Sequence, residues 1–423
     1  MNVKPRATAA IVRRAAFAGA AMSLALPMSA EAQQAAPPAP SPMSTPAMAG
    51  PLAANPNPYS VDLGPLGKTY ITGELTGIGF GQTNPTSAAS ALGAGIPANR
   101  TWEADLSNGM VQIQKTDGLF QYFIQAGGYS FPVLGVPYAD ASHTTSNTFG
   151  LLPQAYVKLV PNDNWSIEAG KLPTLIGAEG TYTFQNMNIE RGLLWNQENI
   201  FNRGVQINYS TGPLALSLSW NDGFYSNDYT YLTGAATWTF NSTNSLTFAG
   251  GGNTATTTTT IPSATGPVAG IFNDQQMYDI SFLHTSGPWT LNPYIQYTHA
   301  PAVPALGTTT SGSTYGAALL VDYTFDSSTM LGGMSLGGFS LPFRAEYISS
   351  DGSTATGPNL LGYGAGSKAW SLTITPTYQY KIFFTRVEAS YVGADKTAPG
   401  SVFGFSGNDK SQFRGLIEAG FLF

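Results

Sequence analysis

Along residues 370–380 apolar and polar side chains alternate without a break. Trp370, Leu372, Ile374, Pro376, Tyr378 and Tyr380 fall on one side, and Ser371, Thr373, Thr375, Thr377 and Gln379 on the other. A period of two belongs to an extended strand with one apolar and one polar face. Residues 315–325 repeat it with Tyr315, Ala317, Leu319, Val321, Tyr323 and Phe325, and 214–221 with Leu214, Leu216, Leu218 and Trp220. Weaker examples are Val205/Ile207/Tyr209, Trp165/Ile167/Ala169 and Tyr278/Ile280/Phe282. At the end of the chain Phe413, Gly415, Ile417, Ala419, Phe421 and Phe423 oppose Arg414, Leu416, Glu418, Gly420 and Leu422. A last strand with a lipid-compatible face, charges opposite and an aromatic end suits a barrel that crosses a membrane with strands.

The connections between alternating segments fall into two classes. Short turns rich in Gly, Pro, Asn and Asp occur at 116–118, 161–164, 211–213, 241–244, 286–288 and around 380–382, with a longer one near 326–333. Long polar connections run over 81–100, 132–150, 173–202, 222–229, 253–274, 300–312, 350–366 and 394–409. In chain order the two classes alternate. The intervening strands are 68–80, 101–115, 119–131, 152–160, 165–172, 203–210, 214–221, 230–240, 245–252, 276–285, 289–299, 314–325, 335–349, 368–380, 382–393 and 411–423. This predicts an all-β fold, a transmembrane antiparallel up-and-down β-barrel of about sixteen strands, with both termini on the short-turn rim. The pattern shifts phase at Ser107-Asn108-Gly109, which reads as a bulge or a turn; a turn would make the count fourteen or eighteen. Trp165, Trp220, Trp289, Trp370, Tyr209, Tyr297, Tyr380 and Tyr391 lie near strand ends, as interfacial aromatic girdles do. That placement disfavours a soluble sandwich with a uniform aliphatic core.

Composition agrees. Charged residues are 10% of the chain, against roughly a quarter in soluble domains. Forty-eight Gly and a strong aromatic complement (23 Phe, 21 Tyr, 7 Trp) argue against disorder. The absence of Cys excludes disulfides, thiolate metal sites and thiol nucleophiles. No apolar run reaches the ~20 residues of a membrane-spanning helix. Lys4, Arg6, Arg13 and Arg14 precede an apolar run from Ala15 to Leu26 and then Ala30-Glu31-Ala32, the pattern of a signal peptide cleaved after Ala32. Removing residues 1–32 takes away those four basic residues and Glu31, moving the formal charge from −6 to −9. That balance argues against nucleic acid as a partner. Residues 33–66 are Pro/Ala-rich and read as a periplasmic linker, with a partial plug as the alternative; the barrel proper is residues 67–423.

The connection 173–202 stands apart. It carries Phe184, Met187, Ile189, Leu193, Leu194, Trp195, Ile200 and Phe201 together with charges. A loop of this length and character is expected to fold into the barrel and narrow it. The constriction candidates are Glu179, Glu190, Arg191, Trp195, Glu198 and Arg203. Inward parity places Arg344, Glu346, Arg386, Glu388, Arg414 and Glu418 on the inner wall, where Arg386 and Glu418 lie within reach of each other across adjacent strands. Such charges either brace the sheet or set a field that screens solutes. Catalytic signatures are missing: there is no G-x-S-x-G, H-E-x-x-H or P-loop, and the three His are scattered. No cofactor and no metal site are expected.

Several phrases resemble a known family. They are Asn57-Pro58-Tyr59-Ser60-Val61-Asp62-Leu63-Gly64-Pro65-Leu66-Gly67-Lys68, Ile113-Gln114-Lys115-Thr116-Asp117-Gly118, and Gln125-Ala126-Gly127-Gly128-Tyr129-Ser130-Phe131-Pro132. The stretches Glu168 to Gly177 and Gly204 to Tyr209 continue the match. Together they resemble the OmpL-like β-barrel porins of Gram-negative bacteria over residues 57 to 221. The resemblance implies an outer-membrane pore, and homotrimers are typical of such proteins. Sixteen-strand porins place acids on an infolded third loop opposite basic wall residues. Here the loop also carries Arg191 and the wall mixes both signs, a departure from that pattern. The expectation is passive diffusion of small polar solutes or ions. A sealed structural or adhesive barrel and an outer-membrane hydrolase are the other classes considered. Lipid and the barrel-assembly machinery, the latter reading Phe421 and Phe423, are the other expected partners.

Overall fold

The structure, a computed structural model, describes residues 49–86, 100–263, 268–269 and 275–423. The segment read as a signal peptide lies outside the described residues, as do parts of the connections 81–100 and 253–274.

Sixteen strands pair in sequence order: β1 (Lys68–Gln82), β2 (Trp102–Lys115), β3 (Phe120–Tyr129), β4 (Gln154–Asn162), β5 (Trp165–Pro173), β6 (Phe201–Thr211), β7 (Leu214–Asn221), β8 (Tyr231–Asn241), β9 (Asn244–Asn253), β10 (Gln276–Ser286), β11 (Trp289–Ala300), β12 (Gly312–Tyr323), β13 (Phe339–Ser340 with Phe343–Ser350), β14 (Lys368–Ile374 with Thr377–Tyr380), β15 (Phe383–Asp395) and β16 (Ser411–Leu422). Every pairing is antiparallel, and β1 closes on β16 with Leu75 opposite Phe421 and Gly77 opposite Ala419. Closure removes the unpaired edges of an open sheet, which a lipid environment could not satisfy.

The alternation sets the two faces. Trp370, Leu372 and Ile374 are exposed on the outside while the alternate residues Ser371, Thr373 and Thr375 are buried. Breaks occur where the backbone chemistry requires them. β13 and β14 are interrupted around Pro342 and Pro376, which donate no ladder hydrogen bond; their carbonyls still accept from Thr375 (2.9 Å) and Val387 (3.0 Å). The phase shift near Ser107 is a bulge within a continuous β2: Thr76 pairs with Asn108 and Ile78 with Asp105. It turns Ser107 and Asn108 inward together, and both bond to Thr76.

The Pro/Ala-rich stretch is not a free linker throughout. Tyr59–Asp62 adds a short strand to β1. Ala49 donates to the Gln185 carbonyl (2.8 Å), Ala53 exchanges hydrogen bonds with the Gln379 side chain, and Leu52 is buried beside Phe384 and Leu422. One apolar anchor and one side-chain amide hold residues 49–53 against the inner wall.

Candidate functional site: a loop latched across the barrel

The chain from Thr174 to Ile200 leaves the end of β5, crosses to the inner wall of β13–β16, and returns to β6. Its crossing is held by charge. Glu179 bonds to Arg344, whose guanidinium also donates to the Glu190 carbonyl (2.7 Å). Glu190 pairs with Arg414 and accepts the Ser390 hydroxyl (2.7 Å). Arg386, opposite Glu418 in register, donates to that carboxylate through Nε (2.9 Å) and Nη2, and to the Asn186 carbonyl (3.0 Å). The other Glu418 oxygen accepts the Thr183 hydroxyl.

Two wall carboxylates take loop backbone amides. Glu388 accepts the Ile189 and Glu190 amides (2.5 and 3.1 Å) and the Thr375 hydroxyl. Glu346 accepts Leu193 (3.0 Å) and Ser371 (2.7 Å), with Arg344 Nε at 3.3 Å. Charge-assisted bonds of this kind fix a segment in register as well as in place.

Apolar side chains fill the space around these contacts. Leu193 and Leu194 pack with Leu134, Ile348, Leu361, Tyr363, Val402 and Phe403, which the loops at 132–150, 350–366 and 394–409 contribute in part. Tyr182 and Phe184 join Tyr129, Phe149 and Phe201 in a second cluster. The Arg191 guanidinium lies over Trp195 (5.3 Å) and donates to the Ile189 and Ser130 carbonyls. Burial pushes it down to about 10, and the neighbouring Glu179 and Glu418 oppose that fall.

Glu179, Glu190, Arg191, Trp195 and Glu198 all belong to this assembly and are buried. As constriction charges they were expected to face the passage; Glu179 and Glu190 instead face wall arginines and are neutralised by them. Arg203 does not take part. It has the outward parity of Val205 and Ile207, pairs with Asp222 (2.7 Å) and stacks on Tyr225 (4.0 Å). Alternation counted from the buried Asn202 puts it outside the lumen.

Solvent-accessible inner positions occur on the opposite arc. Half-buried Lys158, paired at 2.9 Å with its buried register partner Glu168, sits there with half-buried Asn208, Ser217, Thr237, Thr247 and Ser281. Sequence parity does identify this arc, and it also places Glu74 and Asp279 inward, although neither stood out as a site residue. Glu74 is held by the Gln112 and Gln125 amides. The side-chain amide at Gln197 and the backbone carbonyl of Asn186 carry no sequence signal. Among the described residues no three His, Asp or Glu side chains come together.

A closed sixteen-strand barrel with an apolar outer face, a polar inner face and a loop latched across its interior defines a porin. The chain belongs to the family described as "putative beta-barrel porin-2, OmpL-like", whose model matches residues 68–423. It is an outer-membrane protein of that family. No curated protein matches it in sequence. Among solved structures it is similar to the anion-selective porin of Comamonas acidovorans (11% identity, TM-score 0.54, covering 84% of this chain and 99% of that one). It is also similar to the outer-membrane channel DcaP of Acinetobacter baumannii (13%, 0.53, 84% and 97%) and to OmpF of Salmonella typhi (13%, 0.53, 86% and 100%). At these identities the likeness is one of fold.

Proposed function

We propose that this porin passes small hydrophilic solutes or ions by passive diffusion along the arc of Lys158, Glu168, Asn208, Ser217, Thr237 and Thr247, with residues 173–202 narrowing the path from the other side. The observation that carries this reading is the asymmetry of the interior: one wall is latched to the loop and dry, while the facing wall is polar and half-open. The charge balance favours cations. Arg191, Arg344, Arg386 and Arg414 face Glu179, Glu190, Glu346, Glu388 and Glu418, one carboxylate more than the guanidiniums. A fixed excess of carboxylate draws cations into a low-dielectric passage.

The second reading is a sealed barrel, favoured by the apolar cluster of Leu134, Leu361, Tyr363 and Phe403 over the latched wall. Planar-bilayer recording in a salt gradient separates the two. A diffusion channel gives steady conductance with a cation-selective reversal potential, and a sealed barrel gives no steady current. An anion-selective potential would refute the charge argument.

The chain is exported by a signal peptide cleaved after Ala32, inserts through the assembly machinery by its C-terminal strand with Phe421 and Phe423, and forms homotrimers in lipid. The trimer form of Vibrio cholerae OmpT, a similar fold (10% identity, TM-score 0.50, 84% of this chain and 99% of that one), supports the last point. Mass spectrometry of the purified protein and crosslinking in membranes test these assignments.

A further inference from the structure

The interior carboxylates described so far have partners on the loop or the wall; Glu198 has none. Glu198 is 5% exposed, and neither of its carboxylate oxygens has a hydrogen-bond partner in the protein. Its neighbours do not supply a cation. The carboxylate lies against Gly177, so close that a Cβ on that glycine would meet Oε2 at 1.8 Å. The amide of the same Gly177 donates to Asp279 Oδ2 at 2.6 Å, so two carboxylates converge on one glycine.

The surrounding acceptors are oriented by their own bonds. Gln275 spends its amide NH₂ on the Gln197 carbonyl (2.7 Å), and Gln296 spends its own on the Leu194 carbonyl (3.2 Å). The side-chain oxygens of both glutamines are buried and unpartnered. Gln296 stands directly opposite Asp279 in the β10–β11 register, and Gln197 is bonded to Gln275 and adjoins Glu198. The buried Tyr294 hydroxyl, two residues along β11, is also without a partner.

We propose that Glu198 and Asp279, with the amide oxygens of Gln275 and Gln296, bind a divalent cation of the calcium type. Two carboxylates balance its charge. The remaining donors are neutral oxygens, the set a hard cation takes at about six to eight positions, with water completing the shell. Nitrogen and sulfur ligands are absent from the set, which argues against zinc or copper. Entry is from the periplasmic half of the open arc, where Ser281 and Thr247 lie one step along the wall from Asp279 and its partner Ala249. The bound ion ties the loop to β10 on the side opposite its arginine latches. This site stands independently of whether solutes pass through the barrel.

Equilibrium dialysis of the folded mature barrel in detergent against radioactive calcium tests the proposal, with magnesium and sodium as competitors. The expected result is roughly one high-affinity calcium per chain, weakened at least about tenfold by either Glu198→Gln or Asp279→Asn. Asp395→Asn, which alters an exposed carboxylate paired with Lys410 outside this site, is expected to bind as the unaltered barrel does. Folding of each variant is read separately from its heat-dependent gel mobility. Tyrosine-sensitised terbium luminescence, displaced by calcium, reports the same site. Absence of calcium binding in the unaltered barrel, or equal binding by the Glu198 and Asp279 variants, overturns the assignment and leaves Glu198 as a protonated or merely hydrated carboxyl.

Discussion

Replacing Arg386 by Met tests whether the latches are structural in the strong sense. The pair with Glu418 is fully buried on both sides. Removing the guanidinium strands a carboxylate that retains only the Thr183 hydroxyl, and it frees the Asn186 carbonyl. Breaking a buried pair from one side costs about 3–5 kcal/mol, and an orphaned buried carbonyl adds about 1–3 kcal/mol. Arg386→Met is therefore expected to lose about 4–6 kcal/mol, allowing for partial relaxation. Glu418→Met should lose about 3–5 kcal/mol by the same reasoning. The double variant removes both charges, and apolar replacement of a buried pair is close to neutral, so it should lose only about 1–3 kcal/mol, mostly from Asn186 and Thr183. The coupling energy is then at least about 4 kcal/mol in the direction of mutual dependence. Urea titration of the barrel in lipid vesicles, followed by tryptophan fluorescence in both directions, measures all three. If the two single losses simply add in the double variant, the residues do not act as a pair and the latch argument fails.

Deleting residues 180–198 removes the loop contacts to Arg386 and Arg414 and leaves Glu179 as the one loop partner of Arg344, so single-channel conductance should rise; an unchanged conductance rules out any narrowing by the loop. The pH dependence of stability should carry the mark of Glu198. Burial, and then the charges of Asp279, Glu179 and Glu346, raise its pKa well above 4.5, so the folded state holds its proton more tightly than the unfolded one. Stability without calcium should therefore fall as pH rises above the ordinary glutamate value, and Glu198→Gln should flatten that slope. Urea midpoints measured between acid and neutral pH check this. Replacing Phe423 by Ser should lower the yield of heat-modifiable, folded barrel in membranes without altering the conductance of the barrels that do assemble.

The barrel was legible because lipid on one face and water on the other impose strict alternation, and turn chemistry marks the rims. Trp370 to Tyr380 reveals its two faces residue by residue. The bulge at Ser107 is visible only as a phase shift; deciding between bulge and turn takes the pairing of Thr76 with Asn108. Wall charges such as Arg386 and Glu418 could be placed by parity on a regular strand. The loop has no such ruler. Glu179 and Glu190 read simply as charges on a long connection, and their burial against Arg344 and Arg414 depends on contacts more than 150 residues away in sequence. Arg203 shows the same limit from the other direction: its place outside the lumen follows from where β6 begins, two residues before the alternation becomes clear. The packing of residues 49–53 rests on Leu52 and a single glutamine on a distant strand, which composition does not express.

The origin of the latches along the chain bears on the order of assembly. The loop emerges from the fifth strand, yet Arg344, Arg386 and Arg414 arrive only with the last four. Until those strands take their places the loop has nothing to grip, and it carries Glu179 and Glu190 without counter-charges. A one-residue slip of the closing strand would turn Arg414 and Glu418 toward lipid and release two latches together. Closure of the wall and seating of the loop are thus one event, in which the narrowing element acts as a check on the register of the seam.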